Sequence, residues 1–153
     1  MKEIIKLNQE EQLAVKQDFR EKIMDFENKI IDNPESITGD AFEEKNPTKS
    51  TFAGGCYIRE IFMPAGQYLT TKIHKKEHPF FVLSGKISVI SEDGPIEIEA
   101  PYQGITKSGT KRVLYTHEDT VFVTVHATDK TTVEEVTKEV IAEDFNDPAI
   151  SLQ

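Results

Sequence analysis

From Phe52 to Ala127 the chain never runs far without a turn signal, and this limits its possible folds more than any other feature. Short stretches rich in Ile, Val, Phe, Tyr and Thr are broken by Gly66, by Ser-Gly at 84–85, by Asp-Gly at 93–94, by Ser-Gly at 108–109 and by His-Glu-Asp at 117–119. Stretches this short suit strands rather than helices, and the breakers supply the backbone conformations that tight turns need. Strands are expected near 56–62, 67–74, 79–83, 86–91, 95–100, 103–107, 111–116 and 120–127. Short strands at about eight-residue spacing predict an all-β sandwich or barrel, not a βαβ arrangement.

The flanks differ. Residues 8–32 predict a helix: Asn8 can cap it with Glu11 closing a capping box, and Val15, Phe19, Ile23, Phe26 and Ile30 form one apolar stripe. Asn33-Pro34 ends it, because the residue before proline is pushed out of helical geometry. The stripe must pack on its own barrel, on a partner subunit or in a larger assembly. Residues 33–51 are polar, carry Pro and Gly breakers, and read as a loop. A second, short helix is expected over 131–141, capped by Thr131 with Glu134 or Thr132 with Glu135, with Val133, Val136, Val140 and Ile141 on its apolar face. The chain therefore divides into an N-terminal helix and loop (1–51), a barrel (52–128) and a C-terminal helix and tail (129–153).

The stretch "KIHKKEHPFFVLSGKISV" at 72–89 holds two of the four histidines. His74 and His78 would share one face of a helix, yet the apolar run and Ser-Gly that follow belong to a strand and hairpin. A metal site and a charged loop are both open readings. On the closing strand Phe122, Thr124 and His126 share one face, and Val121, Val123 and Val125 the other, by simple alternation. The polar-bearing face is the natural one to line a cavity.

The β region resembles the cupin superfamily, small jelly-roll barrels with a metal or ligand site inside. Their first motif is Gly, five residues, His-x-His, three or four residues, Glu, six residues, Gly. Here Gly66 precedes "QYLTT" and then "KIH", and His78 precedes "PFFVLS" and then Gly85, so every spacing fits. Lys72 stands at the first histidine position and His78 at the glutamate position. In the second motif "KSGTKRVLYT" keeps Gly109 but puts Arg112 at the histidine and Thr116 at the asparagine. The resemblance covers residues 52–127 and implies a cupin-type double-stranded β-helix with a helix at each end. The whole layout also resembles uncharacterised cupin-like proteins of tailed bacteriophages.

That resemblance implies that Thr70, Lys72 and His74 point into the barrel, and Gly85 sets the register for His78, Phe80 and Val82. With His126 inward as a third ligand, three neutral imidazoles would suit a divalent transition metal such as Zn, Fe, Ni or Cu. Fixed charge from Lys72 and Arg112 opposes a cation and favours an anionic ligand, so a metal-free anion pocket is the alternative. In a third reading these cations pair inside the barrel with Glu77 or Glu60. Tyr115 and Thr124 are further candidate ligand-binding residues. Tyr115 would serve as acid or hydrogen-bond donor if it faces inward, and His117 belongs to a turn.

Two function classes follow: a small-molecule and metal-binding barrel, with isomerase, epimerase or dioxygenase-like chemistry implied by the family, or a non-enzymatic structural module, such as a phage virion component. A net charge of −9 argues against nucleic acid and anionic membrane surfaces. The lone Cys56 and an N-terminus without a secretory apolar core fit a cytoplasm, that of the host cell if the gene is a phage's, or a virion. Jelly-roll edges and one apolar outer face predict a homodimer.

Overall fold

The computed structural model describes residues 8–150. Helix α1 spans Gln9–Asp32, and the Asn8 side chain and the Glu11 carboxylate each take the other's backbone N–H, closing the expected capping box. The polar segment after it, expected from its composition to be a loop, is only partly one. It contains a short helix α2 (Gly39–Lys45) and the edge strand β1 (Thr48–Ala53). Phe42 of α2 packs against the barrel core, which gives this otherwise polar turn a reason to be ordered.

The barrel continues with β2 (Cys56–Met63), β3 (Tyr68–Thr70), β4 (Ile73–His74), β5 (His78–Ser84), β6 (Lys86–Ser91), β7 (Gly94–Glu99), β8 (Tyr102–Thr106), β9 (Val113–Thr116) and β10 (Thr120–Ala127). One sheet has the order β1-β2-β10-β5-β8 and faces another of order β3-β9-β6-β7, with every pairing antiparallel. The core between them is Ile61, Met63, Phe80, Val82, Ile87, Val89, Ile98 and Leu114. Gly85, at φ +95°, makes the β5–β6 turn where a Cβ would lie 2.4 Å from the Asp119 carbonyl oxygen, so the closing strand can approach only a glycine. The architecture is all-β, a jelly-roll barrel with flanking helices.

The C-terminal segment closes one end of the barrel. Helix α3 (Val133–Val140) is capped by Thr132 with Glu135, and its Val136 and Val140 pack on Tyr57 and Phe52. It runs directly into β11 (Ile141–Ala142), which pairs with β4 so that Ile141 lies opposite His74. Lys75 and Lys76 hold this segment through ion pairs to Asp147 and Glu139.

The α1 stripe docks on its own barrel. Ile23 is buried, Phe19, Phe26 and Ile30 are half-buried, and Val15 is left in solvent. Two polar anchors fix the helix. Buried Lys111 donates to Glu27 and to the Thr71 carbonyl, and Arg20 reaches the Gly109 and Ile150 carbonyls while lying over the Phe145 ring. Among the described residues no helix is long and apolar enough to cross a membrane.

Candidate metal centre

The cross-strand registers arrange the inner face of the five-stranded sheet in rows. The row nearest α3 runs Phe52, Tyr57, His126, with His78 and Thr106 opposite one another on β5 and β8. The next runs Ser50, Arg59, Thr124, Phe80, Gly104, and beyond it Thr48, Ile61, Phe122, Val82, Tyr102 are mostly apolar. Polar chemistry is thus confined to the end that α3 and β11 cover.

His74 completes the first row from β4. Ring centroids lie 4.3 Å apart for His74–His78, 4.3 Å for His78–His126 and 5.2 Å for His74–His126. One potential ligand atom from each falls within 4.8 Å of the others, so the structure brings the three histidines together. His74 is held by its backbone: its carbonyl accepts from the Gly109 N–H, and it pairs with Ile141. Gly109 lies in the second-motif segment, so both motifs meet at this residue.

The surroundings keep the imidazoles neutral. Burial pushes His74 down to about 3, with further lowering from His78, His126, Arg59 and Arg112. Burial, then His78 and Arg59, lower His126 to about 4. Burial also lowers His78, against a hydrogen bond to the Lys76 carbonyl, 3.2 Å from Nδ1, that favours the charged form. The carbonyl fixes the proton on Nδ1 and leaves Nε2 with its lone pair. His126 Nε2 lies 3.1 Å from Thr124 Oγ1. An Nε2–H donating to that hydroxyl leaves Nδ1 free. The donor set suits a transition ion, three neutral imidazoles with two of them oriented by a second hydrogen bond. The ligand atoms, within 4.8 Å of one another, would draw closer together to meet ~2.0–2.1 Å metal–nitrogen bonds.

Two expected site residues lie elsewhere. Lys72 is exposed, and Thr70, expected inward with it, lies on the outer face of β3 opposite Val113 and donates to Glu27 of α1. Leu69, opposite Leu114, takes the inward position, and only the break between β3 and β4 turns His74 inward. Tyr115 is on the outer face of β9, its ring tilted against that of Tyr68 with centroids 4.6 Å apart, while Leu114 and Thr116 take the inward positions. Glu77 is exposed, and Glu60 faces away from the site opposite Lys49, so neither pairs with a barrel cation. His117 is in an exposed turn, bonded to the Ser88 hydroxyl.

Arg112 does reach the interior, with its guanidinium 4.8 Å from the Phe80 ring centroid. Gly104 makes this possible, since a Cβ there would lie 2.7 Å from that ring. Arg59, on the inner face of β2 beside Thr124, is a cation that the motif comparison does not mark. Alternation along "CYIREIFM" places it inward with Tyr57, Ile61 and Met63, and that signal was available. A cleft of about 640 Å³ lies between α1 and the C-terminal segment, lined in part by Arg20, Met24 and Phe145, away from the histidines.

With this geometry in hand, the chain can be set beside solved structures. It superposes on ectoine synthase from P. lautus with a TM-score of 0.52 and 14% identity, covering 73% of this chain and 81% of that one. It superposes equally, at 0.52, on DMSP lyase DddQ from Ruegeria pomeroyi DSS-3, with 18% identity over 65% of this chain and 55% of that one. The cupin domain of Schizosaccharomyces pombe Cnp3 aligns at 0.47 with 21% identity, over 60% of this chain and 64% of that domain. The chain has the cupin fold. It spans less than two thirds of the DddQ and Cnp3 chains. No protein-family model matches the sequence, and neither does any curated protein.

Proposed function

We propose that this cupin is a small-molecule-binding barrel built around a divalent transition metal, Zn, Fe, Ni or Cu, held by His74, His78 and His126. The observation that carries the reading is the clustering of three neutral imidazoles from β4, β5 and β10, His74 half-buried and His78 and His126 buried, with ligand atoms within 4.8 Å of one another. Isolated buried histidines usually find a polar partner and no more. Here three face one another, and the hydrogen bonds to the Lys76 carbonyl and the Thr124 hydroxyl orient two of them.

When bound, such an ion would supply Lewis acidity to a ligand oxygen or to a water. The chain's own residues do the rest. Lys76 and Thr124 set the ring orientations, Tyr57 stacks on His126 at 6.0 Å, and Val136 and Val140 keep that end of the barrel dry. A dry site strengthens every electrostatic contact within it.

The reading is tested by titrating chelator-treated protein with Co²⁺ and following its visible bands. Saturation at about one ion per chain, with the intense bands of a low-coordinate nitrogen site, is the expected result. A weak, non-saturating signal of hydrated ion contradicts it, and would leave the barrel as a metal-free scaffold.

A further inference from the structure

The histidine cluster has an excess of positive charge around it and no carboxylate within. Arg59 and Arg112 both lie close enough to lower His74, and among the described residues neither is in an ion pair, although the Asp93 carboxylate, paired with Lys107, acts on Arg112 from beyond ion-pair distance. Both guanidiniums are depressed from their ordinary value, chiefly by burial. A half-buried cation without a counter-ion is costly, and two of them beside a candidate dication site are costlier still. The fold meets its two other buried cations from within the chain: Lys111 has Glu27, and Arg20 has the Gly109 and Ile150 carbonyls.

We propose that Arg59 and Arg112 form a clamp for a small carboxylate dianion bound next to the three histidines. The proposal rests on the same site as the metal reading and names its ligand class. Arg59 enters from β2 beside Thr124, and Arg112 lies over Phe80, the next residue along that row. A guanidinium stacked on a ring keeps its edge N–H groups free in the plane, the geometry that grips a planar carboxylate with two parallel bonds. Two negative charges would offset the two guanidiniums.

The test uses oxalate as probe and the full chain stripped of metal, so that it does not depend on metal binding. Calorimetry should show 1:1 binding. Arg59→Gln and Arg112→Gln should each weaken it at least tenfold, Arg59→Lys should lose less, and Lys72→Gln should change nothing. Unchanged melting temperatures in Arg59→Lys and Lys72→Gln show that the comparison is made on folded protein. Oxalate affinity unaffected by Arg59→Gln, or inorganic phosphate binding more tightly than oxalate, would overturn the proposal. Zinc content measured on the same variants separates the two readings. Retained zinc with no oxalate binding removes the clamp alone, and oxalate binding without zinc removes the metal alone.

Discussion

The imidazoles of His74 and His126 lie 5.2 Å apart and only 10° from parallel. One comes from β4, held against the C-terminal segment, and the other from the closing strand of the five-stranded sheet, so they meet only when the barrel is closed. Their neutrality follows from that closure, and it makes the fold sensitive to acid.

An unfolded histidine titrates near ~6.5, whereas burial holds folded His74 to about 3 and His126 to about 4. Below ~6.5 the unfolded chain binds protons that the metal-free folded chain refuses, so stability is fully present above that value and is lost as pH falls towards the folded values. The denaturation midpoint of metal-free protein should drop steadily from neutral pH towards about 4. In His126→Phe the decline should be shallower. Equal slopes for the two proteins would show that these imidazoles are not held neutral.

Lys111 and Glu27 fasten α1 to the barrel. Lys111 is 6% exposed and has both Glu27 and the Thr71 carbonyl as partners. Lys111→Met takes a donor from the Thr71 carbonyl and from Glu27, which keeps the Thr70 hydroxyl, and should cost about 1–3 kcal/mol in chemical denaturation, discounted because Glu27 is partly in water. Adding Glu27→Gln should recover part of that loss. Strict additivity of the two losses would mean that the pair does not couple helix to barrel.

Val136 of α3 is 0% exposed, packed with Val140 against Tyr57. Val136→Ala should cost about 2 kcal/mol, as deletion of buried methyls does. The loss should be local as well as global: backbone amides around His74 and Ile141 should exchange faster, because β11 is joined directly to α3. Protection at His74 unchanged from wild type would show that α3 does not seal the histidine end.

Much of this was legible in the sequence. Turn dipeptides delimit most of the strands, Asn8 and Thr132 cap their helices, and alternation along β10 puts His126 on the inner face. The failures have physical causes. Alternation holds only within an unbroken strand, so His74 facing inward does not carry Thr70 and Lys72 with it across the break between β3 and β4. Tyr115 could face either way until Leu114 and Thr116 were seen to claim the interior. Strand β1 is an edge with mostly exposed side chains, and β11 is two residues long, so neither carries an apolar pattern. Arg59 went unmarked because motif comparison attends to ligand positions, while its role arises from the neighbours that other strands bring to it.

The central claim is that three histidines hold one ion, and metal content per chain tests it most directly. Zinc-loaded, desalted protein should contain about one ion per chain, with the same amount in His117→Ala, whose imidazole is in an exposed turn. His74→Ala should contain almost none, because two imidazoles do not close a stable site. Zinc content in His74→Ala equal to that of the wild type, or a wild-type protein that retains no metal, would contradict the account.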